Sequence, residues 1–503
     1  MTRKARRISG LGASACSGLL LTASMPNFDL GLLGWLALVP LLLSIEWLEE
    51  ESPTTLAMPF GLVWSLGVHH WYPEMFGPAL GCLLIFAVGN WYALLIGLGI
   101  GLQRRLPGTL RLLALPVLWS ALEFAKYIAP IVENWWFVLL AKSQWRFPPA
   151  LQILSVTGFP GLSFLLMLSN VALAALLAQA LQGRGMNRPA SAALALVAAI
   201  VAWGAASLPA VPPDSFGIVA TSDLANQDPA FRPPRSDNGN EGEIDGEDLE
   251  ALTPEISQAL FDVNAKLTRE AANRDTAFVV WPENEFSDID DPRFMRQLSA
   301  LARRLSAYLV VDVVWRSPTG MHDTALMIGP NGEESGRRAK IAITAGEADE
   351  GFVAGPRDFP IFDTPHGRVG IGVCWDRHRL WITRELARAG AQIVLMPVDD
   401  DFNHSSSFPA FHASDAVFRA VENRVAFALG TTNGLSLVID PYGRITAESR
   451  VNERMAVSGR TFISPEGSPY TRLGDLFGWL VFGILLSFVG LAIRGSRKPR
   501  IPG

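Results

Sequence analysis

Cysteine is scarce in this 503-residue chain, which has only Cys16, Cys82 and Cys374. The first two fall in apolar runs, so the polar part of the chain holds a single thiol and cannot carry an internal disulfide framework. Charge is scarce as well. Asp, Glu, Lys and Arg make up 18% of the residues, against about 25% in an average soluble protein. There is no glycine-rich phosphate-binding motif and no basic patch of the kind that binds nucleic acid, which argues against nucleotide and nucleic-acid partners. What fills the chain instead is apolar: 49% of its residues are hydrophobic.

That apolar material is unevenly spread. Residues 8 to 208 are almost continuously apolar, 212 to 472 read as an ordinary soluble region, and 474 to 494 are apolar again. A membrane span needs about 20 apolar residues. Eight segments qualify: 8–26, 29–47, 56–75, 78–102, 109–128, 155–182, 190–209 and 474–494. The division expected is a seven-helix membrane domain over 1–210, a soluble domain over 211–472, and a final span with a basic tail over 473–503. The first segment is rich in Gly, Ala and Ser. With the basic "MTRKARR" before it, it also fits a cleaved signal peptide, and "ASAC" resembles a lipoprotein cleavage site. The apolar hairpin that follows at once fits a multi-span protein better. Lys and Arg gather in "TRKARR", in "QRRLPG" (103–108), around Arg184 and Arg188, and in the tail "RGSRKPR". These four segments fall on one side if the spans alternate. The positive-inside rule then puts residues 212–472 outside the cytoplasm.

Within the soluble region, strand-like runs recur at 216–221, 277–281, 308–315, 325–329, 369–374, 392–398, 426–431 and 435–440, with a short one at 445–448. Helical patterns lie between several of them, at about 249–273, 292–306, 378–389 and 409–424. This alternation predicts a layered α/β domain with a mixed sheet. The acidic segment Asn238–Glu250 reads as a solvated loop.

Three of these strands end in, or lead out to, a reactive residue: "TAFVVWPENEF" reaches Glu283, "SGRRAKIAITAGE" contains Lys340 seven residues before Glu347, and "RVGIGVCWD" reaches Cys374. Active sites of α/β sheets gather at the carboxyl ends of strands. A thiol, a carboxylate and an amine are the parts needed for acyl transfer through a thioester. Cysteine attacks as the thiolate. A carboxylate can take its proton and return it. A lysine and the backbone N–H after the nucleophile, that of Trp375, can hold an oxyanion. Each residue alone has a duller reading: Cys374 as a buried structural cysteine, Glu283 as a loop carboxylate, Lys340 as a surface lysine. Their order and context favour the set.

"VVWPE", "AKIAITAGE", "GVCWD" and "FRAVENR" resemble the carbon-nitrogen hydrolases of the nitrilase superfamily, whose triad runs Glu, Lys, Cys along the chain. Seven spans before such a domain and one after it are similar to the layout of the bacterial apolipoprotein N-acyltransferase family. The resemblance implies a membrane α-helical bundle joined to an α-β-β-α sandwich in the bacterial inner membrane, the sandwich facing outward. It implies Glu283 as general base, Lys340 as the triad lysine and Cys374 as nucleophile. Glu347 would be a second glutamate orienting the lysine, and Glu422 a buried structural glutamate. A phospholipid would give its sn-1 acyl chain and a diacylglyceryl-cysteine lipoprotein would receive it, with no metal or organic cofactor.

The sequence departs from the family in four places. "TAGE" stands for Pro-Phe-Gly-Glu, and Trp375-Asp376 for Tyr-Glu. "PVDDDFN" (Pro397–Asn403) replaces Asn-Asp-x-Trp-Phe-Gly, and "ATSD" (Ala220–Asp223) replaces Gln-Gly-Asn. A carboxylate one methylene shorter at Asp376 sits about 1.5 Å nearer the backbone. "HHWYPEMF" (His69–Phe76) looks like a metal site but fits an interfacial span end better, and "YIAPIVENWWF" (Tyr127–Phe137) suits a loop at the lipid surface. Two other functions remain open at this level: a membrane-tethered amidase using the same triad, and an inactive envelope protein.

Overall fold

A computed structural model describes residues 2–129, 138–224, 254–283, 289–401 and 407–496. The lipid-surface loop expected at 127–137 and the acidic segment 238–250 therefore lie largely or wholly outside the described residues. The chain divides into two compact units, Met1–Leu208 with Leu473–Gly503, and Pro209–Arg472.

The first unit is helical. Among the described residues, five helices are long and apolar enough to cross a membrane: Pro78–Arg105, Gly108–Ile128, Phe159–Leu181, Arg188–Ala206 and Leu476–Arg494. The other three expected spans are built differently. Segment 29–47 is a 3-10 turn, Gly31–Trp35, followed by the nine-residue helix Val39–Trp47. Gly31 and Gly34 loosen the first part, and Pro40 lies in the first turn of the second. Segment 56–75 divides into Pro53–His69, which contains Pro59, and the short Tyr72–Phe76. The weak first segment does form a helix, Arg3–Ala23, too polar to count as a span by composition.

That first helix is nonetheless built into the unit. Its buried face is small and polar, Gly10, Ser14, Ser17 and Gly18. Ser14 Oγ accepts from Phe60 N at 3.0 Å, and Ser17 Oγ accepts from Leu41 N at 2.9 Å. The second bond satisfies one of the amides left without a partner in the first turn of Val39–Trp47. Asn170 Oδ1 does the same for Leu38 N at 2.7 Å. Small residues that let backbones approach, with hydroxyls and amides bonding across helices, are the ordinary means of packing in lipid. The pair Gly61 and Gly89 shows how close: a Cβ on Gly61 would lie 2.0 Å from the Gly89 carbonyl oxygen. His69, expected at an interface, is instead buried, its Nδ1 3.1 Å from the Ser65 carbonyl oxygen and its ring 4.6 Å from that of Tyr72.

The second unit holds twelve strands: β1 (Phe216–Asp223), β2 (Thr276–Val280), β3 (Tyr308–Ser317), β4 (Gly320–Ile328), β5 (Glu334–Ala339), β6 (Phe362–Thr364), β7 (Gly367–Ile371), β8 (Ile393–Asp399), β9 (Ala426–Thr432), β10 (Leu437–Ile439), β11 (Ile445–Glu448) and β12 (Met455–Thr461). They hydrogen-bond in the order β5-β4-β3-β2-β1-β9-β8-β7-β6, with β12 on β1, and β10 between β9 and β11. The body of β1 pairs with β2 and β12, and only its last two residues reach β9, at Ser222–Thr431 and Asp223–Thr432. The sheet thus folds into two layers joined at the ends of β1 and β9. Helices Pro254–Ala271 and Pro292–Leu305 pack on one layer, through Leu260, Phe261, Leu298 and Leu301 against Val279, Leu309 and Val311. Leu380–Ala389 and the wholly buried Phe408–Asn423 belong to the other. The result is an α-β-β-α sandwich.

β2, β3, β7, β8, β9 and β1 are mutually parallel within their layers, and two antiparallel steps through β4 return β5 to the direction of β3. Glu283, Lys340 and Cys374 thus all follow carboxyl ends of strands. Gly430 in β9 permits the closeness this needs, since a Cβ there would lie 2.6 Å from the Val280 carbonyl oxygen at the exit of β2.

Candidate active site

The three residues come together, and all are buried. Lys340 Nζ lies 2.6 Å from Glu283 Oε1, 3.0 Å from Asp323 Oδ2, and in short contact with Glu347 Oε1. The other Glu283 oxygen accepts from Asp399 N at 2.7 Å, while the Cys374 thiol donates to Asp399 O at 3.5 Å. One residue at the end of β8 therefore touches both the thiol and the carboxylate. Asp323, in the middle of β4, was not anticipated. It makes the cage around Lys340 one of three carboxylates, a grouping of the kind that can hold a metal ion. Here the cation it encloses is the ammonium of Lys340 itself.

This arrangement sets the proton affinities. Burial pushes Glu283 well above the ordinary carboxylate range, helped by Asp323 and Glu347 and opposed by Lys340. Burial acts to lower Lys340, but Asp323, Glu283, Cys374 and Glu347 outweigh it and hold the ammonium firmly charged. Burial and Glu283 push the Cys374 thiol well up, with Lys340 and Arg377 pulling the other way. The resting site thus holds a protonated thiol beside a carboxylate of raised basicity. That pair is suited to moving a proton as the sulfur attacks, not beforehand.

Cys374 has φ of +39°, a left-handed conformation that costs a non-glycine residue about 1–3 kcal/mol and marks functional turns. It opens the 3-10 turn Cys374–His378. Asp376 holds this turn. Its Oδ2 accepts from Arg338 at 2.8 Å and Val373 N at 3.4 Å, and its Oδ1 from Ile341 N at 3.1 Å and Ala342 N at 2.9 Å. The shorter carboxylate thereby ties the turn of Cys374 to the segment that follows Lys340. Removing the charge from a buried pair costs about 3–5 kcal/mol. Asp376→Asn is therefore expected to lower the thermal midpoint sharply in detergent, and Asp376→Glu, which keeps the charge, to lower it less.

The divergent segments carry contacts of their own. In "TAGE", Thr344 and Glu347 form a reciprocal capping box on helix Ala345–Asp349, which fixes the glutamate that meets Lys340. In "PVDDDFN", Asp399 touches Glu283 and Cys374, and Asp400 pairs with Arg377 at 2.8 Å; Phe402 and Asn403 lie outside the described residues. In "ATSD", Asp223 accepts from Asn264 at 2.9 Å and Thr432 at 3.2 Å, bracing the junction of the two layers. Trp375 packs edge-on against His378 and His412. Glu422 pairs with Arg419 at 2.9 Å inside its helix.

Comparison with known proteins agrees with both units. The apolipoprotein N-acyltransferase N-terminal domain matches residues 17–172, and the carbon-nitrogen hydrolase domain matches residues 254–458. An apolipoprotein N-acyltransferase of Geobacter metallireducens is 28% identical over 95% of this chain and 94% of its own. The chain is thus similar, along nearly its whole length, to an apolipoprotein N-acyltransferase. A second such acyltransferase, from Gloeobacter violaceus, is 26% identical over 88% of this chain and 86% of its own. The omega-amidase NIT2 of Homo sapiens is 26% identical over 38% of this chain and 78% of its own. An amidase structure from Nesterenkonia sp. covers 52% of this chain and 95% of its own at 19% identity, with a TM-score of 0.39. The two acyltransferases named cover most of this chain, and the omega-amidase 38% of it.

Proposed function

We propose that this protein takes an acyl chain from a phospholipid onto Cys374 and passes it to the N-terminal amine of a diacylglyceryl-cysteine lipoprotein. It would work in the bacterial inner membrane with its sandwich facing outward. The observation that carries this reading is the buried Cys374–Asp399–Glu283–Lys340 constellation in a chain that also bears long apolar helices.

In the first half-reaction Glu283 takes the Cys374 proton as sulfur adds to the ester carbonyl. Lys340 and the Trp375 N–H face the oxyanion, and the tetrahedral adduct collapses to a thioester. Glu283 returns the proton to the departing lysophospholipid oxygen. In the second half, the lipoprotein amine adds to the thioester and gives a proton to Glu283. The amide forms, and sulfur leaves and recovers that proton as thiol. Two substrates meeting one enzyme in turn is ping-pong chemistry. The apolar helices serve it because lifting an acyl chain out of a bilayer costs about 0.8 kcal/mol per CH₂, a cost largely avoided when the site stays at the membrane.

The test is to incubate the purified protein with a phospholipid carrying a labelled acyl chain and no acceptor. A hydroxylamine-labile label on wild type and none on Cys374→Ala is expected. No label on either, with lipid binding intact, favours the amidase or inactive readings.

A further inference from the structure

A second buried cation stands beside Cys374 and takes no part in the reaction as written. Arg377, three residues on in the same turn, is fully buried. Its Nη1 donates to the Cys374 carbonyl oxygen at 2.9 Å, and its Nη2 donates to Asp400 Oδ1 at 2.8 Å. Its Nε donates to the His412 carbonyl oxygen at 3.4 Å, and His412 Nδ1 lies 3.0 Å from Nη2 and 2.9 Å from Asp400 Oδ1. The guanidinium is thus clamped from the loop after β8 and from helix Phe408–Asn423, whose Asp415 also acts on it electrostatically. A charged group held from three sides is placed, not merely tolerated.

Two consequences follow from chemistry alone. The Cys374–Trp375 peptide is trans, and a planar trans peptide points its C=O and N–H in opposite directions. Holding the Cys374 carbonyl on Arg377 therefore aims the Trp375 N–H away from the guanidinium. The same contact braces the residue whose φ is +39°. In addition, a buried positive charge that acts on the thiol favours the thiolate. Charged groups that act on Cys374 are Glu283, Lys340, Arg377 and Glu347. Of these, Arg377 is the cation outside the carboxylate cage.

We propose that Arg377 is a positioning residue for acyl transfer: it locks the Cys374–Trp375 peptide so that its N–H serves the oxyanion, and it stabilises the Cys374 thiolate, with Asp400 and His412 holding the guanidinium in place. This rests on Cys374 being the nucleophile. The test reads the thiol directly and needs no acyl donor, so it stands apart from the transferase reading. It measures the pH dependence of iodoacetamide alkylation of the full-length protein in detergent, followed by mass on the peptide containing Cys374, with Cys16 and Cys82 as internal references.

Arg377→Gln is expected to raise the alkylation midpoint of Cys374 by about one pH unit or more, which is about tenfold less thiolate below the midpoint. Arg377→Lys, which keeps the charge, should recover most of the shift. Asp400→Asn frees the guanidinium from one of its holders and should raise the midpoint in the same direction by a smaller amount. A midpoint unmoved or lowered in Arg377→Gln overturns the proposal. If Arg377→Gln does not fold, Asp400→Asn decides alone: a rise supports the assignment, and no change or a fall overturns it.

Discussion

Lys340→Met is expected to cost about 3–5 kcal/mol of stability, the price of breaking a buried ion pair by removing one partner, and to lower acyl transfer on the order of 10⁴-fold or more, as loss of one member of a catalytic triad does. The structural cause is the cage. Glu283, Asp323 and Glu347 surround one ammonium, and methionine would leave three carboxylates facing one another in a buried site. The pH dependence identifies the cause. Lys340 is raised in the folded state, so its own contribution is fully present below about pH 10.4, the unperturbed lysine value, and is lost only as pH climbs through the higher folded value. Between pH 5 and 8 it is constant. Any change in the mutant's deficit over that window comes from the carboxylates, which can protonate when their cation is gone. Thermal unfolding in detergent should therefore show a smaller deficit at pH 5 than at pH 8. A deficit independent of pH would mean that Lys340 matters through packing alone.

Glu283→Gln separates a base from a bystander charge. Glu283 is among the groups that push the Cys374 thiol upward, so its neutral isostere should yield more thiolate and faster alkylation by a small reagent at a given pH. Acylation by phospholipid should nevertheless fall by about 10²–10⁴-fold, the usual contribution of a positioned general base. The fold should survive, because the glutamine carbonyl can still accept from the Asp399 N–H, now 2.7 Å from the carboxylate. A more reactive thiol in a slower enzyme is the signature of a lost proton carrier. Parallel losses of both would point to a damaged site.

Much of the site was legible because its members end strands whose apolar runs announce themselves. Val369–Val373 before Cys374 and Ala277–Trp281 before Glu283 are buried and sit in β7 and β2 or just beyond them. Asp323 was not legible, since one acid in the middle of "MHDTALMI" looks like the polar beat of a half-exposed strand. Only the pairing of β4 with β5, which sets Thr324 opposite Ala339, brings it to Lys340. Arg377 and Asp400 were hidden in segments that depart from the family pattern, where a charge reads as surface. The capping signal in "TAGE", a threonine with glutamate three residues on, was present and would have fixed Glu347 on a helix. The strands missed, β5, β6 and β12, are polar: β5 and β6 lie at the two ends of the order, and β12 alternates buried with exposed residues from Val457 to Thr461. In the helical unit, summed hydropathy could not separate a span from two shorter pieces. Pro59, Pro40 and the glycines of 31–34 decide that locally, and hydroxyl and amide bonds from Ser14, Ser17 and Asn170 fill the gaps they leave.

The most direct test of acyl transfer through Cys374 follows the fate of its thioester. Wild-type protein loaded from labelled phospholipid, freed of excess donor and divided in two, is left in buffer or given a lipopeptide bearing a diacylglyceryl-cysteine with a free amine. Acyl transfer predicts a label that persists on Cys374 in buffer and moves within the mixing time to an amide on the lipopeptide. A label that water discharges as fast as the lipopeptide, yielding free fatty acid in both halves, would contradict it and make the protein a hydrolase.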